Sequence, residues 1–483
     1  MADEPPFNLG SRLVHLDFKG APLSVGYLEK VFPLLKSWGA TGLLVEYEDT
    51  FPYSDDLRVL RAAHAYSEDD VRQILKYAED FELEVIPLVQ TFGHLEFVLK
   101  HEELANLREI AKYPMALCPS NPESVHLVCA MVDQVMRLHT AIQYFHIGCD
   151  EVYHLGMCET CKHRMAQESI GKDQLFFSHV HKVATHMKKT YPNVTPIMWD
   201  DMFRYSELPV ILGCGLGNLV EPMVWHYLPN FVLPADIWNY LSAVFPNIWI
   251  ASAFKGATGP HTPITNIRYH LDNHSAWLDV LRVMKQKFKS IKGIALTGWQ
   301  RYDHYSVLCE LFPHGLPSLG LCLKFIQQGV LSPADIEAVA KDMKFSTQLP
   351  INPFASAEVP ICDFPGSLVY QLMIKFVHEE AACKEFFMLE SMAAWVNDYN
   401  VERGFINPAH LEPLLNRGVS LLESLQILDE RLHAAFSDVF VSGVKDEWRG
   451  EFLSPCLKRL EEFVDKARNL LSDKRVSIDN DVT

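Results

Sequence analysis

The chain has 483 residues, 48% of them hydrophobic and 22% charged, with 28 Phe, 17 Tyr and 9 Trp; this excludes a disordered chain and supplies a substantial apolar core. A formal net charge of −18 excludes nucleic-acid binding, which needs a basic stripe facing the phosphates. No segment approaches the ~20 apolar residues of a membrane span, and the opening Met-Ala-Asp-Glu-Pro-Pro has neither a basic leader nor an apolar stretch, so a cytosolic or nuclear protein is expected.

In chain order, short β-branched apolar runs bounded by Gly or Pro alternate with longer stretches of helical period, which implies a parallel sheet. The runs are Leu13–Asp17, Gly42–Tyr47, Leu83–Val89, Tyr144–Gly148, Thr195–Trp199, Leu219–Trp225, Asn247–Ser252 and Gly293–Gly298. They number eight, as a (β/α)8 barrel requires. Between the first two, Leu28, Val31, Phe32 and Leu35 fall on one helical face and Gly39 stands where a left-handed cap belongs. Ser67 with Asp70 starts the next helix, whose inner face is Val71, Ile74, Leu75 and Ala78. Ser332-Pro333 opens another.

Pro350, Pro353, Pro360 and Pro365 then crowd one loop-like stretch, after which the pattern is almost wholly helical. The expected organisation is a catalytic barrel over residues 1–346, a proline-rich connection over 347–366, a C-terminal helical domain over 367–471 and a polar tail over 472–483. Eleven cysteines are scattered along the chain, and Cys129, Cys309 and Cys322 lie in apolar runs where a reduced thiol acts as a small hydrophobe. Cys158 and Cys161 form a Cys-x-x-Cys followed by His163. That pattern suits zinc or redox chemistry, but a structural zinc needs further ligands from elsewhere, so no metal is assigned.

In such a barrel the reactive groups project from the C-terminal ends of the strands. Polar and aromatic residues gather there. In order they are His15, Asp17 and Lys19; Glu46, Glu48 and Asp49; Gln90 and His94; His146, Asp150 and Glu151; Trp199, Asp200 and Asp201; Glu221 and Trp225; Phe254 and Lys255; and Trp299, Arg301, Tyr302 and Asp303. Each alone reads more often as a structural residue than as a catalytic one. Together, carboxylates beside tryptophans suggest a sugar site, because a pyranose offers apolar faces to indoles and hydroxyls to carboxylates.

His146-Ile-Gly-Cys-Asp150-Glu151 resembles the His-x-Gly-x-Asp-Glu signature of glycoside hydrolase family 20, the β-N-acetylhexosaminidases. The likeness extends to Arg12–Asp17, Val85–Phe97, Ala251–Gly259 and Thr297–Ser306. It implies a retaining, exo-acting enzyme needing no cofactor, in which Glu151 is the general acid and base. Asp150 then positions the substrate's own 2-acetamido group as nucleophile, through an oxazolinium intermediate. On this reading Glu151 is raised towards neutrality while Asp150 stays ionised. The resemblance also implies a relay of His94, Glu48 and Asp49 that orients Glu151, and an acetamido pocket walled by Trp199, Trp225 and Trp299. His146, Asp200, Tyr302 and Asp303 join the substrate-binding set.

The wider family has an arginine on the first strand and a glutamate two residues after the last-strand tryptophan, both gripping hydroxyls. Here Lys19 is the nearby cation and Arg301 occupies the glutamate's place, so Asp17 and Arg301 are expected to hold the hydroxyls with charges exchanged. Phe254 stands where the family has a tyrosine for the acetamido oxygen, leaving Tyr302 or Tyr305 for that role. The implied substrate is a glycoside of N-acetylhexosamine, galactosaminides favoured and glucosaminides accepted. A homodimer is left open. Two other readings compete: a sugar-binding barrel without catalysis, and a metallohydrolase built on His15, His94, His146 and Asp200.

Overall fold

The structure is a computed structural model and describes residues 9–352 and 358–472. The opening residues, Pro353 and the polar tail beyond Ser472 lie outside the described residues. Among the described residues no helix is long and apolar enough to cross a membrane.

Eight parallel strands close a barrel: β1 Ser11–Asp17, β2 Gly42–Glu46, β3 Glu84–Leu88, β4 Tyr144–His146, β5 Thr195–Trp199, β6 Glu221–Trp225, β7 Asn247–Lys255 and β8 Ser290–Gly298. Closure joins β1 to β8, with Ser11 opposite Gly293 and Val14 opposite Leu296. All eight expected runs are strands; Thr195–Trp199 has the expected ends and the others are shifted. The fourth stops at His146, because Gly148 and Cys149 take positive φ of 66° and 70° and turn the chain out of the ladder. The last begins three residues early, at Ser290, where it pairs with Asn247.

Strands buried on both faces read as continuous apolar runs, and Gly-Leu-Leu-Val-Glu of β2 is buried throughout. The barrel interior is filled by Leu13, Leu44, Ile86, Leu88, Ile197, Trp199, Met223, Trp249, Ala251 and Ala295. It is therefore a packed core, and the polar chemistry is confined to the mouth.

The helix Val25–Ser37, capped by the Ser24 hydroxyl accepting from the Tyr27 N–H, buries Leu28, Val31, Phe32 and Leu35, and Gly39 follows at φ 98°. Ser67 and Asp70 form a reciprocal capping box on Glu68–Asp80, which buries Val71, Ile74 and Ala78; Leu75 is half-buried. Ser332 and Asp335 do the same for Pro333–Asp342. The crossover between β3 and β4 also contains an antiparallel hairpin, Arg108–Ile110 with Tyr113–Leu117, that the sequence pattern does not announce.

Among the described residues, contacts divide the chain into two compact units, the barrel and a second unit that takes in residues 358–361 and 366–472. The second unit is helical, built on Ser367–Phe387, Pro408–Val439 and Ser454–Ser472. Its core includes Leu411, Leu425, Leu428 and Leu432, with Phe386 edge-on to Phe463.

Candidate active site

Two loops at the barrel mouth meet over one histidine. After β3 the chain reaches Gly93 and His94, the latter at φ 50°; after β4 it reaches Asp150 and Glu151, the latter also at φ 50°. Non-glycine residues hold such angles only where their surroundings over-determine them. Here a Cβ on Gly93 would collide with the Asp150 carbonyl, and one on Gly148 would overlap the Gln90 amide. The loops are thus locked face to face, and Asp201 adds a further anchor by accepting the Glu151 backbone N–H at 2.9 Å.

The lock brings His94 Nε2 within 3.1 Å of Glu151 Oε2 and 3.5 Å of Asp150 Oδ2. Tyr153 donates its hydroxyl to Glu151 Oε1 at 2.6 Å. Burial alone would lower the imidazole, but the Asp150 charge and the Glu151 bond outweigh it and push His94 up to about 10. The His94 bond holds Glu151 below the ordinary carboxylate value against the effect of burial. Burial raises Asp150, with the His94 charge working against it. The sequence reading expects Glu151 raised towards neutrality and Asp150 ionised; here the His94 bond lowers Glu151 and burial raises Asp150. The proton that Glu151 would deliver is stored one hydrogen bond away.

A cavity of about 450 Å³ opens over these groups, lined by Lys19, Gln90, His94, Asp150, Glu151, Arg204, Trp225, Tyr227, Tyr269, Trp299 and Tyr302, among others; that volume suits one sugar ring and part of its aglycone. Tyr227 stacks on Trp225 with centroids 5.1 Å apart and stands edge-on to Trp299 at 6.3 Å, which makes a continuous aromatic wall. The wall is fixed from behind. Asp201 accepts from the Trp225 indole at 3.2 Å, Asp200 accepts from its backbone N–H at 3.1 Å, and the Arg204 guanidinium lies 5.0 Å over its ring.

Of the residues singled out from sequence, Lys19, Gln90, His94, Asp150, Glu151, Trp225, Trp299 and Tyr302 line this cavity. The others do not. Trp199 is fully buried in the barrel core, 6.1 Å from Trp299. His146 is buried beside Trp199, its Nδ1 accepting from the Gly148 N–H at 3.0 Å. Asp200 is paired with Arg204. Asp17 accepts from the backbone N–H of Lys19 and of Gln300, Arg301 donates to the carbonyls of His304 and Ser306, and Asp303 accepts from the Tyr305 and Ser306 N–H groups. The expected exchange of Asp17 and Arg301 onto hydroxyls is therefore not what the fold presents; Lys19 is the strand-one residue that reaches the cavity. Glu48 and Asp49 turn to Lys19, His304 and Lys100, away from the His94–Glu151 pair, and Tyr305 is exposed.

Nor do the four residues of the metallohydrolase reading converge, since His15 is bonded to Glu46 at 3.1 Å and Asp200 to Arg204. Sequence reasoning passed over Tyr227, Tyr269 and Arg204 altogether. Tyr227 had a usable signal: it lies two positions past Trp225 in a Trp-His-Tyr run at a strand end.

The model of the glycosyl hydrolase family 20 catalytic domain matches residues 26–227. The chain is 42% identical over 475 residues to Hexosaminidase D of Homo sapiens, covering 96% of this chain and 95% of that one. It is 52% identical over 321 residues to Hexosaminidase D of Bos taurus, covering 66% of this chain and 92% of that one. Among solved structures, the β-N-acetylhexosaminidase of Bacteroides fragilis NCTC 9343 shares the fold with a TM-score of 0.53 at 16% identity, over 70% of each chain. These matches define the class, a glycoside hydrolase on a (β/α)8 barrel. Within that class the chain belongs to glycoside hydrolase family 20.

Proposed function

We propose that the chain is a retaining exo-β-N-acetylhexosaminidase, acting on terminal N-acetylgalactosamine ahead of N-acetylglucosamine by substrate-assisted catalysis. One observation carries the mechanism: the two acids at the cavity floor are sequence neighbours that share a single histidine. Retaining enzymes with their own nucleophile set two carboxylates about 5 Å apart on opposite sides of the bond. Acids that both converge on His94 approach the sugar from one loop, so the nucleophile is assigned to the substrate.

Asp150 Oδ1 is buried and makes no hydrogen bond among the described residues, and a buried acceptor of this kind calls for a donor. The acetamido N–H of the sugar is that donor. With the amide so held, its oxygen attacks C1 from the face opposite the leaving group. The C1–O bond breaks, and the proton shared between His94 and Glu151 passes through Glu151 to the departing oxygen, which leaves Glu151 ionised and His94 neutral. Positive charge develops on the amide nitrogen, where Asp150 stabilises it. Water then opens the oxazolinium ring at C1, giving its proton to Glu151, and the sugar leaves with its configuration retained. Trp225, Tyr227 and Trp299 supply flat apolar surface for the acetamido group and ring, and Lys19 at the cavity edge is placed for a hydroxyl.

The test is hydrolysis of chromogenic β-N-acetylgalactosaminide and β-N-acetylglucosaminide by the wild type, Glu151→Gln and Asp150→Asn. Losses on the order of 10²- to 10⁴-fold in kcat are expected for each variant, with the product formed first as the β-anomer. A wild type that binds N-acetylgalactosamine but turns over neither glycoside would favour the sugar-binding reading instead.

A further inference from the structure

We infer that Glu109, Cys118, Cys158 and Cys161 form a zinc site that ties the loop after Glu151 to the hairpin of the preceding crossover. The Cys-x-x-Cys pair supplies two ligands; the fold brings the other two from the hairpin. Cys118 Sγ lies 3.5 Å from both Cys158 Sγ and Cys161 Sγ, Glu109 Oε2 lies 3.2 Å from Cys161 Sγ, and all four donor atoms are within 4.8 Å of one another. A tetrahedron with zinc–sulfur bonds of about 2.3 Å has sulfur–sulfur edges of about 3.8 Å, so the cluster is already close to the size of a filled site. Among the described residues no other group of three or more His, Cys, Asp or Glu side chains is gathered in this way.

The surroundings are those of a ligand set. Glu109 Oε1 accepts from the Met157 and Cys158 N–H groups at 2.6 and 3.0 Å, which fixes the carboxylate and turns Oε2 to the sulfurs. Ligands oriented by outer hydrogen bonds in this way are typical of metal centres. The Cys161 N–H donates to Cys158 Sγ at 3.3 Å, where Cys158 caps the helix Glu159–Glu168. Glu109, Cys118 and Cys161 are buried, so a deprotonated set needs a cation there. Three sulfurs select zinc over magnesium or calcium, and one buried carboxylate completes four-coordination with no open position, the form of a structural site. None of the four lines the sugar cavity. The loop from Glu151 to Cys158 is then held at one end by Asp201 and at the other by the metal.

The experiment uses the full, untagged chain purified with reductant and needs no substrate. Elemental analysis should find about one zinc per chain, and chelation should lower the melting temperature, with added Zn²⁺ restoring it. Replacement by Co²⁺ should give an intense thiolate-to-cobalt charge-transfer band in the wild type and in Cys129→Ser. That band should be lost in Cys118→Ser and in Cys161→Ser. Should either of those two variants fold poorly, the wild-type stoichiometry and cobalt spectrum still decide the matter. The inference is overturned if reduced wild type neither carries nor takes up Zn²⁺ or Co²⁺, if both variants keep the band, or if peptide mapping finds two of these sulfurs joined as a disulfide.

Discussion

Asp201 accepts the backbone N–H of Glu151 at 2.9 Å, so a carboxylate that touches no part of the cavity surface sets the direction of one that does. Its other oxygen takes the Trp225 indole, and burial together with the nearby Asp150 charge raises Asp201 to about 7. One side chain therefore registers the acid loop against the aromatic wall. Asp201→Ala removes both bonds while leaving the barrel core intact. Because a displacement near 1 Å at the reacting groups costs on the order of 10²-fold, kcat/KM should fall by about that factor with an unchanged far-ultraviolet spectrum. A fall of less than a few-fold would show that the loop holds its strained φ without Asp201.

The pH dependence follows from His94. Its folded value, about 10 against an ordinary 6.5, means the folded chain keeps a proton that the unfolded chain loses. The associated stability is fully present below about pH 6.5 and is lost as pH rises through about 10. His94→Gln keeps a donor for Glu151 but removes the titrating cation. In that variant the fall in melting temperature between pH 7 and 10 should be shallower than in the wild type. Its alkaline limb of kcat/KM should also move to lower pH, because Glu151 then loses its proton with no imidazolium to replace it. An alkaline limb that stays in place would assign the limb to another group.

Gly148 tests the lock between the loops. At φ 66°, with the Gln90 amide where a Cβ would sit, alanine meets both backbone strain and a collision. Gly148→Ala should lower stability by roughly 1–3 kcal/mol from the strain alone, read as a lower denaturant midpoint with an unchanged slope. Gly26, whose Cβ would meet nothing within 4 Å, is the control: alanine there should be neutral or slightly stabilising, as it lies in a helix.

How far the sequence reveals this site depends on which property of a residue decides its role. Barrel strands are legible because each is a short apolar run, and all eight expected runs pair in the closed sheet. Asp150 and Glu151 are legible as a spaced motif, and they do share the cavity floor. Which way a loop side chain turns is another matter. Asp17 and Arg301 stand at strand ends as sugar ligands would, yet both bond backbone groups, because the turns they sit in leave nearer polar atoms to satisfy. Asp200 and Asp201 are adjacent and chemically alike, but one pairs with Arg204 and the other with Glu151; the difference lies in the short 3₁₀ turn Asp201–Phe203. Cys118 and Glu109 lie 40 and 49 residues from Cys158, a separation no local pattern spans.

Under the proposed function, Tyr227 is expected to hold the acetamido oxygen. Of the tyrosines expected from the sequence, Tyr302 lines the cavity with its hydroxyl oxygen accepting from the Gly259 N–H at 3.0 Å, and Tyr305 is exposed. Tyr227 stands between Trp225 and Trp299. Burial raises its hydroxyl far above the ordinary value, with the Thr297 and Trp299 side chains bonding it and the Asp150 and Glu151 charges nearby. It therefore stays neutral throughout the working pH range, and it lines the same cavity as Asp150 and Glu151. Tyr227→Phe keeps both ring contacts and deletes only the hydroxyl. If that hydroxyl stabilises charge on the attacking oxygen, kcat should fall on the order of 10²-fold or more. KM and melting temperature should change little, while Tyr302→Phe costs only a few-fold. Equal, small effects from both variants would leave the aromatic wall a shape-selecting surface alone, with Asp150 as the group that orients the amide.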